Sequence, residues 1–294
     1  MTWSTLRSTP PISFVPFLGR PERGPVVAVL RLDGVIAGSP RFRGALHLAG
    51  LAPLIDRAFS MRRLAAVALA INSPGGSPAQ SALICNRIRA LAAEKKKPVY
   101  AFAEDVAASG GYWLACAADE IYANENSIVG SIGVIHGSFG FQEALARLGI
   151  ERRLYTAGDK KSILDPFSPQ KEADVKRVKA LQKEFHENFK SLVRERRGER
   201  LKGGARTLFS GEFWTGAAAL ELGLIDGIGD LRSVARAKFG DGVRFRPLAR
   251  RRNLWSMMRR PDASAVAPAG LGGDIAGGLV AAAEERLLWN RYGL

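Results

Sequence analysis

Apolar runs of strand length alternate with segments whose apolar positions recur every three or four residues. Residues 64–71 are apolar throughout, and 26–32 are interrupted only by Arg31. Such continuous runs are expected of strands covered on both faces. Residues 98–103 predict a third strand. Shorter strands are expected at 121–123 and 131–135, and another through Arg152, Leu154, Tyr155 and Thr156 to Gly158. Helical spacing appears at 46–58, with Leu51, Leu54, Ile55 and Ala58 on one face, and after Ser77, with Ile84, Ile88 and Leu91 inward. It returns at 141–148, with Phe141, Ala144, Leu145 and Leu148 inward. A long helix is expected over 170–197, with Val175, Val178, Leu181, Phe185, Phe189, Leu192 and Val193 on its apolar stripe. Shorter helices follow at 215–222 and 231–239, and a terminal one at 281–292. Strands alternating with helices place the chain in the α/β class.

Candidate chemistry sits where strands give way to helices. The first run ends at Ser73-Pro74-Gly75-Gly76, and Ser77, Pro78 and Gln80 then have the spacing of a capping box. Two glycines at such a junction bring backbone N–H groups close to a ligand and can hold an anion or a polarised carbonyl oxygen. Taken alone, the Gly75-Gly76 pair reads first as an ordinary tight turn. The strand at 98–103 leads to Ser109, Gly110 and Gly111, where Ser109 is a nucleophile or an N-cap. Ala107 occupies the position of the first glycine in the hydrolase Gly-x-Ser-x-Gly elbow, so that motif is not matched. A serine nucleophile needs a base. The chain has three histidines, His47, His136 and His186, and a lysine pair, Lys160-Lys161, after Gly158. His47 is expected to cap or line the helix at 46–58. Spacing alone leaves the lysines as either surface charge or a base.

Read together, these pieces resemble a family. Ile71-Asn72-Ser73-Pro74-Gly75-Gly76, Ala108-Ser109-Gly110-Gly111-Tyr112, Gly130-Ser131-Ile132-Gly133-Val134, Gly158-x-x-Lys161 and the stretch from Phe213-Trp214-Thr215-Gly216 to Asp226 are similar to the short-form signal peptide peptidase A (protease IV) family of Ser/Lys peptidases. The resemblance runs from about residue 26 to 229. It implies a ClpP/crotonase-like spiral of ββα units with a long helical extension. Ser109 matches the nucleophile and Lys161 the general base, with Lys160 one residue away. The backbone N–H groups of Gly76 and Gly110 match the oxyanion donors. No cofactor and no metal are implied. The implied substrate is an unfolded or apolar peptide, such as a signal-peptide remnant. The implied assembly is a homo-oligomer whose active site is shared between subunits. Two other classes stay open: a crotonase-like acyl-CoA enzyme on the same fold, and a non-catalytic scaffold at a membrane surface.

Composition adds partners and compartment. The 294-residue chain is 47% hydrophobic, enough for one large domain with extensions. The expected division is an irregular arm at 1–24, a peptidase-like domain at 25–240, and a basic tail with a Gly/Ala/Pro-rich linker at 241–294. A net charge of +15 suits either nucleic acid or an anionic membrane surface. The basic residues are scattered and no nucleic-acid-binding motif accompanies them, so no specific nucleic-acid partner is expected. Cys85 and Cys116 read as small core residues of a reducing compartment. No apolar run reaches 18 residues, and the first 20 residues do not read as a secretory signal. A cytoplasmic protein, free or peripheral to a membrane, is therefore expected, although many relatives carry an N-terminal anchor.

Overall fold

The computed structural model describes residues 24–38, 45–158, 160–248, 283 and 286–293. Most of the arm expected at 1–24 and the whole linker segment at 263–278 lie outside them. Of the terminal helix expected at 281–292, residues 286–290 are helical.

The elements run β1 (Val26–Asp33), α1 (Leu48–Phe59), β2 (Leu64–Ser73), α2 (Pro78–Lys95), β3 (Val99–Ala108), α3 (Gly110–Ala115), β4 (Glu120–Ala123) and β5 (Ile128–Gly130). After them come α4 (Gln142–Arg147), α5 (Glu172–Arg197), α6 (Ala205–Leu208), β6 (Phe213–Thr215), α7 (Gly216–Glu221), β7 (Gly227–Ile228), α8 (Leu231–Phe239) and β8 (Arg244–Leu248). The expected α/β, ClpP/crotonase-like class is observed: strand–helix units succeed one another along one sheet, and the long α5 extends from them.

The strand order is β6-β5-β3-β2-β1-β8, with β4 and β7 branching from β3. β3 is shared along its length. Its first half pairs with β4 through 100–103 and its last residues pair with β5 through 106–108. Every pairing is parallel except β5 with β6. The end of β3 is therefore held between β2 and β5, and the turn that follows it is fixed from both sides.

The continuous apolar runs are explained by cover on both faces. Ala28, Leu30 and Leu32 of β1 and Val67, Leu69 and Ile71 of β2 meet α1, α2 and α3 in the main core. Val27, Val29, Ala66, Ala68, Ala70 and Phe102 face α8 in a second cluster with Ala235 and Val243. The sheet also takes in β8, which lies beyond Gly240, the expected end of the peptidase-like domain.

Several expectations are revised. The capping box at α2 is half built. Ser77 accepts the Gln80 N–H at 3.4 Å, but the Gln80 side chain accepts the Leu48 N–H at 2.8 Å instead of returning to Ser77. The Ser77 N–H is already taken by the Ile36 carbonyl at 2.7 Å. In place of the strand expected at 131–135, β5 ends at Gly130 because Ser131 adopts φ 53°, outside strand geometry. Residues 152–156 form no strand, since no neighbouring strand offers them a ladder. The apolar face expected inward on α4 is exposed, Phe141 by 44% and Leu148 by 71%. On α5 the stripe is buried only toward its C-terminal half, at Phe189 and Val193, while Phe185 is exposed. Among the described residues no helix is long and apolar enough to cross a membrane.

Candidate active site

Two turns meet at the C-terminal ends of β2 and β3. The first runs from Ser73 to Ser77. The Ile36 N–H donates to the Gly75 carbonyl at 2.8 Å, and the Gly75 N–H donates to Ser73 Oγ at 3.2 Å. Gly75 has φ 101° and lies against the second turn: a Cβ there would stand 2.6 Å from the Gly110 nitrogen and 2.8 Å from Ser109 Cβ. Only glycine allows this approach. Among the described residues neither the Gly76 nor the Gly110 N–H donates to a protein acceptor. Gly110 is the first residue of α3, where an N–H has no partner within the helix.

Ser109 is the hinge of the second turn. Its backbone stands at φ 51°, ψ −121°, and its hydroxyl makes no capping bond to α3. The N-cap reading is therefore not what is observed. A non-glycine residue in this region is strained, and such strain concentrates at functional sites. The geometry is that of a sharp strand-to-helix turn, although the glycine-flanked motif is absent. What holds it is distributed along the chain. The Ser109 N–H donates to the Gly130 carbonyl at 2.8 Å, and the Ser131 N–H to the Glu212 carbonyl at 2.7 Å. Trp214 of β6 packs on Gly130 so closely that a Cβ there would lie 2.7 Å from the indole. Ser131, 3% exposed and next to this contact, is part of the Gly130-to-Val134 motif in the sequence, but no structural role for it is read there because its positive φ is invisible in sequence.

The far end of α3 is anchored as firmly. Arg196 donates to the Cys116 and Ala118 carbonyls at 2.9 and 2.8 Å, so a cation meets the negative end of the helix. Arg197, 2% exposed, donates to both oxygens of Asp226 and twice to the Gly223 carbonyl. The Tyr112 hydroxyl donates to the Leu224 carbonyl at 2.7 Å.

The lysines are elsewhere. Lys160 and Lys161 are exposed on a turn closed by the Lys161 N–H to the Gly158 carbonyl at 3.1 Å. Among the described residues no hydrogen bond joins either lysine, or any histidine, to Ser109. His47 Nδ1 accepts the Gly50 N–H as the cap of α1, as expected. His186 Nε2 lies 3.1 Å from the Ile132 carbonyl, and His136 is exposed. The cysteines are buried and unpaired; burial pushes the Cys85 thiol up to about 11 and the Cys116 thiol up to about 12, which keeps both protonated and poor nucleophiles. Among the described residues no three His, Cys, Asp or Glu side chains gather as a metal site. A cavity of about 700 Å³ lies beside α8 near Phe102 and Arg232, and Ser109 is not among the described residues that line it.

Comparison with known proteins adds lineage. The profile of peptidase family S49 matches residues 92–241, which include Ser109, Gly110 and Lys161 but not Gly76. A Brucella abortus protein named Na(+)/H(+) antiporter NhaA is 50% identical over 273 residues, covering 91% of this chain and 37% of that one. The chloroplastic serine protease SPPA of Arabidopsis thaliana is 31% identical over 224 residues, covering 72% of this chain and 32% of that one. The chain thus spans about a third of the length of these relatives, and the antiporter name describes the longer Brucella protein. Among solved structures, a 1510-N membrane-bound stomatin-specific protease with a substrate peptide aligns with a TM-score of 0.48 at 15% identity, covering 80% of this chain and 98% of that one. On the family match, which takes in about half of the sequence and the strained serine turn, the chain belongs to peptidase family S49.

Proposed function

We propose that the chain is a serine endopeptidase acting on unfolded or apolar peptides, with Ser109 as nucleophile and Lys161 as general base. The observation that carries this reading is the Ser109 turn: strained, with an uncommitted hydroxyl, and pressed against Gly75. Neither an acyl-CoA enzyme nor a scaffold needs a serine held in this way. In the proposed reaction the Ser109 hydroxyl attacks a peptide carbonyl and its proton passes to Lys161. The oxygen of the tetrahedral intermediate is held by the Gly76 and Gly110 N–H groups. Collapse breaks the C–N bond, Lys161 returns the proton to the leaving amine, and an acyl-enzyme remains. Water, deprotonated by the same lysine, then releases the acid and restores Ser109.

The base reaches the site, in this reading, from a neighbouring copy of the chain. Between Ser131 and α5 the surface exposes Ile135, Phe139, Leu148, Ile150, Leu154 and Tyr155, the last by 90%. An apolar stretch of this kind fits a protein interface better than water. Lys161 follows it directly, so docking the stretch on a neighbour would carry the lysine toward that neighbour's Ser109. A lysine withdrawn from water also holds its proton less firmly, as a base requires.

The decisive experiment is hydrolysis of a panel of apolar peptides by wild type and Ser109→Ala, read by mass spectrometry. Wild type should cleave and Ser109→Ala should be slower by roughly 1,000-fold or more. Equal cleavage by both would refute the assignment.

A further inference from the structure

Among the described residues, four arginines and no acid line a concavity of about 520 Å³ at the end of the sheet away from Ser109. Met61, Arg62 and Arg63 come from the turn between α1 and β2, Val26 opens β1, and Arg244 and Arg246 belong to β8. The backbone around it is pinned. The Val26 N–H donates to the Arg63 carbonyl at 3.0 Å, and the Arg244 N–H to the Pro25 carbonyl at 2.9 Å. Arg244 and Arg246 stand two apart on one strand and so share a face.

Three observations separate this cluster from ordinary basic surface. Elsewhere Arg31, Arg87, Arg89, Arg196 and Arg197 each meet a carboxylate. Among the described residues the side chains of Arg62, Arg63 and Arg246 have no such partner; this is also true of the scattered Arg177, Arg206 and Arg236, but here the unpartnered arginines gather around one concavity. Second, Arg63 stands at φ 60°, a left-handed conformation that a non-glycine residue resists. Third, the volume of the concavity falls within the range of small-ligand sites. Like charges gathered in a hollow repel one another, and an anion that bridges them relieves the repulsion. Guanidinium groups match phosphate oxygens in charge and in the spacing of their donors.

We propose that this concavity is a binding site for a phosphate-bearing anion. The proposal does not rest on the peptidase reading, since the concavity shares no residue with the Ser109 turn. A soluble phosphate compound and the headgroup of an anionic phospholipid present the same chemistry, and two probes tell them apart. Inorganic pyrophosphate is titrated by calorimetry. Vesicles of phosphatidylcholine, with and without phosphatidylglycerol, are tested by co-sedimentation.

The site variant is Arg62→Gln with Arg63→Gly and Arg246→Gln, glycine being the residue that suits the Arg63 backbone. The control is Lys176→Gln with Lys179→Gln and Lys183→Gln on the exposed face of α5, which removes the same charge. Each arginine near an anionic surface strengthens binding by roughly five-fold, so the site variant should bind about a hundred-fold more weakly. The control should stay within a few-fold of wild type. If the site variant does not fold, Arg63→Gly and Arg246→Gln taken singly should each show the roughly five-fold loss. Pyrophosphate binding with this pattern identifies a soluble ligand; binding only to phosphatidylglycerol vesicles identifies a headgroup. Equal losses in site variant and control would reduce the effect to net charge and overturn the proposal. So would wild-type protein that binds neither probe.

Discussion

Ser109 stands where an L-residue resists standing. At φ 51°, ψ −121° its Cβ crowds the neighbouring backbone, a strain of about 1–3 kcal/mol. Glycine would relieve it, less about 0.5–1 kcal/mol for the freedom that glycine gains in the unfolded chain. Ser109→Gly should therefore be inactive yet more stable than Ser109→Ala by about 1 kcal/mol in urea denaturation. Equal midpoints for the two variants would mean that the turn is not strained. The residues were legible in the sequence: Ser109, Gly110 and the Gly75-Gly76 pair were placed at the ends of the right strands. The strain was not. The usual elbow motif relieves crowding with a glycine two positions before the serine, whereas here Ala107 points into the main core and fits there. The tight packing falls instead after the serine, where a Cβ on Gly110 would lie 2.6 Å from Ser81 Oγ.

At the scale of elements, α5 departs most from its pattern. Three- and four-residue spacing correctly gives a helix with Phe189 and Val193 inward, and it assigns the basic residues to water. Arg197 is nevertheless buried, because Asp226 arrives from the far side of α7 to meet it at 2.7 and 3.0 Å. Periodicity within one helix carries no information about a partner supplied so much later in the chain. Burial pushes the Asp226 carboxyl up, but hydrogen bonds from Arg197 and from the Ile121 N–H outweigh it and hold the group below its usual range. A carboxyl depressed in the folded state contributes stability above its unfolded pKa of about 3.9, and that contribution is lost as the pH falls through the folded value. Asp226→Asn leaves Arg197 buried without its counter-charge and should cost about 3–5 kcal/mol at pH 7. The gap to wild type should narrow in acid, once wild-type Asp226 is itself protonated. Urea midpoints at neutral and strongly acid pH measure it, and a gap that does not change with pH would remove the ion pair from the account.

At the scale of the whole molecule, the misplaced elements cluster in one region. The strand expected at 152–156 and the inward face expected on α4 both lie between Ser131 and α5, where the structure leaves apolar side chains in water. The hydrophobic pattern there is sound, but a single chain offers nothing for it to bury against, and a strand without a neighbour has no ladder. Lys161 lies in the same region and is likewise without its proposed partner, Ser109. One assembly would answer all three, with each segment docked on the next subunit and each site built from two chains. Mixing then tests it. Ser109→Ala and Lys161→Ala should each be inactive alone. After subunit exchange in equal amounts, a site is complete when one subunit keeps its serine and its neighbour keeps its lysine, so about a quarter of sites should recover. Exchange is verified by native mass spectrometry and recovery by peptide cleavage. If exchange is complete and activity stays absent, Lys161 is not supplied across an interface, and the exposed apolar stretch must be buried by something other than a second copy of the chain.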